Sequence, residues 1–123
     1  MKRFRISGSC FVFLVAALSA MLWGAGKQVT VNGYVIDSSC VFTKNLSEPI
    51  STDCAVECAK AGSPLVILED GGKVYWPISG TMPAEGQNGK LMPFAGKRVT
   101  VAGTVYQKGG SSAIVIDKIQ GAP

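Results

Sequence analysis

Val29-Thr-Val-Asn-Gly-Tyr-Val35 and Val99-Thr-Val-Ala-Gly-Thr-Val105 are the two stretches that decide the fold. In both, apolar residues alternate with polar or small ones, the period of a half-buried strand. In both, a glycine stands at the fifth position, where an isolated glycine marks a bulge or a sharp bend. The echo is too short to call a duplication. Two long strands that each bend at a glycine suit a small closed barrel, in which one strand serves two sheets.

The rest of the strand pattern lies between and after them. Leu65–Leu68 and Val74–Ile78 flank Asp70-Gly71-Gly72, a hairpin signal, and Pro77 belongs at an edge or a strand end. Lys97–Gln107 and Ala113–Gln120 flank Lys108-Gly109-Gly110-Ser111, a second hairpin. Ser51, Thr52 and Asp53 offer cap oxygens to a helix of about two turns over CAVECAKA, which Gly62 and Pro64 stop. Five strands and one short helix predict a mainly β, OB-like barrel. An open α+β sheet is the alternative.

Cys40–Pro64 holds every cysteine after the N-terminal segment. Cys54 and Cys58, four residues apart, share one helical face with Ala55 and Ala59 beside them. Small alanines let that face approach another backbone. The expected neighbour is the end of the first strand, which carries Cys40. Val41–Ile50 reads as a polar loop with a short apolar anchor at Val41 and Phe42. Gly80–Gly96, rich in Gly, Pro and Met, reads as a long loop that either binds a ligand or wraps over the barrel mouth. Met82, Met92, Phe94 and Trp76 are its candidate binding residues.

Residues 1–26 read as a secretory leader: a basic MKRFR and then an uncharged apolar run, with Gly24 and Gly26 suiting cleavage before Lys27. An uncleaved anchor over Ile6–Gly26 is the alternative, and only that outcome implies a membrane. Either way residues 27–123, the single OB-like domain, are expected to be periplasmic or secreted. Beyond the leader nine basic residues face eight acidic ones, dispersed along the chain. A nucleic-acid binder would carry a basic stripe, so no nucleic-acid partner is expected. The partner reading is an unknown small ligand or protein.

The chain has no histidine. Ser-His-Asp and Cys-His catalysis are thereby excluded, and Asp37 with Glu57 is the one acid/base pair near the cysteines. C-x-x-x-C fits neither thioredoxin-type redox chemistry nor a zinc knuckle. Gly86-Gln-Asn-Gly89-Lys90-Leu91 lacks the spacing and hydroxyl of a phosphate loop. Tyr34, Tyr75, Trp76, Phe94 and Tyr106 could form a stacking face, although core packing accounts for them better. The domain reads as a binding or structural module rather than an enzyme, and no cofactor is expected on that reading.

Three thiols leave three readings. A disulfide from Cys40 to Cys54 or Cys58 would tie strand to helix, closing a loop worth about 3 kcal/mol in the chain-entropy model. Alternatively, Cys40, Cys54 and Cys58 could bind Cu(I), or Zn with a fourth ligand from Asp37, water, or a methionine such as Met82 or Met92. A third possibility is a reactive Cys54 at the helix start, opposed by Asp53 and Glu57 nearby.

Gly33-x-Val35-x-Asp37-x-x-Cys40, then Cys54-Ala-x-x-Cys58-Ala-Lys60-x-Gly62-x-Pro64, then Phe94-Ala-Gly-Lys-x-Val-x-Val-x-Gly-x-Val105 resembles a group of small exported bacterial proteins classed as a domain of unknown function. The resemblance spans most of residues 27–123 and implies an OB-like fold outside the cytoplasm, with no activity attached. It also implies a histidine near the position of Ser51, from which this chain departs.

Overall fold

A computed structural model of the protein describes residues 26–123, so the leader reading and Cys10 lie outside the described residues. Five strands close into a barrel in the order β1-β2-β3-β5-β4. They are β1 (Lys27–Asp37), β2 (Leu65–Glu69), β3 (Val74–Pro77), β4 (Arg98–Lys108) and β5 (Ser111–Gly121). All neighbours run antiparallel except β3 and β5, whose parallel pairing closes the barrel. The fold is a small OB-like barrel.

The echoed stretches turn out to be each other's partners. Val31 pairs with Val101 at the centre, Gly33 with Val99 and Val29 with Gly103, so a local two-fold relates β1 to β4. Each glycine then admits a third strand. A Cβ on Gly33 would collide with the Leu68 carbonyl of β2, and one on Gly103 with the Val115 carbonyl of β5. Beyond Gly33, β1 keeps pairing with β2 through Asp37. At Ala102/Gly103 the ladder to β5 shifts register, the bulge that lets β4 curve.

Hairpin chemistry follows the glycines. Gly109 and Gly110 both have positive φ, 56° and 80°, as the two central residues of a type I′ turn require. Pro77 ends β3, where its missing N–H costs no ladder bond.

β2 is buried on both faces, which is why Leu65-Val-Ile-Leu68 is a continuous apolar run without alternation. Leu65 and Ile67 point into the barrel with Val35, Val99, Val101 and Ile114. Val66 and Leu68 point outward with Ile36 and are covered by Val41.

That cover corrects the expectation of one helix and a polar loop after the first strand. Among the described residues there are three α-helices, α1 (Ser38–Thr43), α2 (Thr52–Lys60) and α3 (Asn88–Leu91), and a 3₁₀ turn at Met92–Phe94. α1 is too short to show a helical period. Its signal was the cap: Asp37 accepts the Cys40 N–H at 3.2 Å. Cys40 therefore sits in the first turn of a helix rather than at a strand end. Val41 is the anchor expected of it, whereas Phe42 stays 61 % exposed and stacks on Trp76 with centroids 6.1 Å apart.

The Gly80–Gly96 segment is likewise not one long loop. Its second half folds as α3 and the 3₁₀ turn, fixed by Leu91, which is fully buried in the barrel core. Asn88 ties this segment to the start of β2. Its Oδ1 accepts the Leu65 N–H at 2.8 Å and its Nδ2 donates to the Ser63 carbonyl at 2.9 Å. Asn88→Ala leaves both partners without protein bonds, so a loss of about 1–3 kcal/mol is expected in a denaturant melt.

Candidate thiolate centre

α2 lies on the barrel through Ala55 and Ala59, both buried in the main core. Its start is capped by Ser51, whose Oγ accepts the Cys54 N–H at 3.0 Å. Its end is a Schellman turn: Gly62, at φ +103°, donates to the Ala59 carbonyl, and Ser63 N–H donates to the Cys58 carbonyl at 3.0 Å. Ser63 also donates through Oγ to Asp37, at 3.1 Å. Ser38 N–H closes the frame on the Pro64 carbonyl at 2.9 Å. One short turn thus ties the end of α2 to the cap of α1.

The consequence is convergence. The Sγ atoms of Cys40, Cys54 and Cys58 all lie within 4.8 Å of one another. No sulfur–sulfur bond joins them, and all three are free thiols. Cys40 is 9 % exposed, while Cys54 and Cys58 are half-buried. Beside Cys40 and Cys54 opens a crevice lined also by Asp37, Leu46, Pro49 and Ile50, which Cys58 does not line. Its free volume, about 10 Å³, is at the lower limit for one water molecule.

Asp37 sets the electrostatics. Burial pushes its carboxyl up, but bonds from the Cys40 thiol and amide, the Ser63 hydroxyl and the Ser39 amide outweigh that and hold it below the ordinary value of 3.8. The Cys40 thiol, donating to this carboxylate, is pushed up to about 12, with burial, the Asp37 charge and Cys58 adding to the effect and Lys44 opposing it. Cys58 is raised by burial, then by the charge of Asp37 and by Cys54.

The folded state therefore favours the neutral Cys40 thiol. That contribution is complete below the ordinary value of 9.0 and is lost as pH rises towards 12. Thermal melting of the metal-free protein should fall across this window. Cys40→Ala should show a shallower fall.

The other expected site residues scatter. Met82 is 88 % exposed, and Met92 and Phe94 pack against the barrel core. Neither methionine lines the crevice. Trp76 lines a separate groove with Pro64, Ile78 and residues 84–88. Tyr75 and Trp76 are consecutive on β3 and so face opposite sides of the sheet, which divides the aromatic stacking face. Glu57 pairs with Lys60 at 3.4 Å in solvent and makes no hydrogen bond to Asp37. Ser63 and Asn88 are the positioning residues that the sequence reading missed, because polar residues in short turns carry no period.

No family model, curated protein or solved structure compared with the chain matches it.

Proposed function

We propose that the protein is a small binding module, exported by residues 1–26, whose Cys40, Cys54 and Cys58 capture a thiophilic metal ion, Cu(I) foremost. The observation that carries this reading is the convergence of three free sulfurs within 4.8 Å. Thiolates select soft ions, and Cu(I) accepts three of them without a fourth ligand. Zinc would need a fourth donor. Asp37 is the nearest candidate, but its carboxylate already accepts bonds from α1 and Ser63.

A disulfide uses two sulfurs and leaves the third idle. The two readings part in protein isolated from expressing cells, carrying Cys10→Ser so that only the cluster supplies thiols. Metal capture predicts three blockable thiols and, on anaerobic titration, one Cu(I) per chain. A mass lower by two hydrogens, one blockable thiol and no Cu(I) uptake would replace the metal site with a staple.

A further inference from the structure

We infer that the same centre captures trivalent arsenic, taken up as arsenious acid and held by Cys40, Cys54 and Cys58 alone. This rests on the thiophilic reading above and names its substrate class. Two features of the site carry it: the number of donors and the charge around them.

Trivalent arsenic forms three bonds and keeps a lone pair, so three sulfurs complete it. Among the described residues the site offers three and no more: Met82 and Met92 lie elsewhere, the chain has no histidine, and Asp37 is occupied as the cap of α1. Charge points the same way. Three thiolates around Cu(I) carry two negative charges and around Zn one, whereas around trivalent arsenic they carry none. The centre sits against the Asp37 carboxylate, whose charge Lys44 opposes at Cys40. A neutral adduct meets no repulsion there, while an anionic one does. The Leu46, Pro49 and Ile50 walls of the crevice beside Cys40 and Cys54 offer no charged side chain to an anionic guest.

The step balances without an oxidant. Each of three As–O bonds breaks as an As–S bond forms, and each hydroxide leaves with a thiol proton as water. Arsenious acid and three thiols thus give the tris-thiolate and three waters, with arsenic trivalent throughout. Asp37 loses the Cys40 thiol as a donor but keeps the Cys40 amide and the Ser63 hydroxyl. The sulfurs need only draw together, and Cys54 and Cys58 are exposed enough to move.

The test uses the reduced full chain carrying Cys10→Ser, titrated with arsenite and separately with Cu(I). The expected result is one arsenic per chain, all three thiols blocked, and three sulfur neighbours with no oxygen in the arsenic X-ray absorption spectrum. Cys54→Ser and Cys58→Ser, at half-buried positions, should each weaken arsenite binding on the order of 100-fold by removing one chelating arm. Their thermal melts, taken alongside, report folding. Cu(I) bound by three thiols with arsenite unbound, or held by two sulfurs and an oxygen, overturns the arsenic inference and leaves the thiophilic reading standing. Failure of both ions overturns both.

Discussion

Gly33→Val and Gly103→Val are each expected to destabilise the protein by about 3 kcal/mol, the upper range for forcing volume into a packed site. Neither glycine has a positive φ, so the cost is not one of backbone conformation. It is one of room. At Gly33 the added Cβ would strike the Leu68 carbonyl, and at Gly103 the Val115 carbonyl, and a backbone carbonyl in a sheet cannot rotate away as a side chain can. β1 would have to part from β2, or β4 from β5, at the points where each long strand serves two partners. Urea unfolding measures both. Gly71→Ala is the control, because the nearest atom to its new Cβ is the flexible end of Glu69, 3.9 Å away. If the two core variants melt with the control, the barrel does not depend on these close approaches.

Those glycines show how far the fold was legible. Alternation gave the strands and paired glycines gave the hairpins, since both signals repeat over several residues. The matching of Val29–Val35 with Val99–Val105 pointed to two bent strands; that they pair with each other is a tertiary fact. α1 escaped because six residues with one buried apolar anchor show no periodicity, although Asp37 before Ser-Ser-Cys was a readable cap. α3 escaped for the same reason, its hold on the barrel resting on Leu91 and Asn88. At the centre, the four-residue spacing placed Cys54 and Cys58 on one face. Their meeting with Cys40 depends on Ser63 and Pro64 bonding to the two ends of α1's entry, a contact between turns that no local pattern encodes.

Cu(I) affinity should rise on the order of 1,000-fold per pH unit through the neutral range, because three thiols each give up a proton on binding and each proton contributes about tenfold per unit. Cys40, pushed up to about 12, and Cys58, also raised, hold their protons firmly. Both thiols are protonated at neutral pH and must ionise to ligate. Arsenite binding, which sends those protons out as water, should show no such slope. Asp37→Asn sharpens the expectation. Asparagine keeps the cap of α1, since its side-chain oxygen can still accept the Cys40 N–H. It removes the charge that holds the Cys40 proton, so the thiol becomes more acidic and Cu(I) binds more tightly at pH 7, with faster alkylation of Cys40 in the metal-free protein. If Asp37 were itself a ligand, the same variant would bind less tightly. The direction of change in a competition titration thus decides whether Asp37 holds the metal or only the proton that the metal displaces.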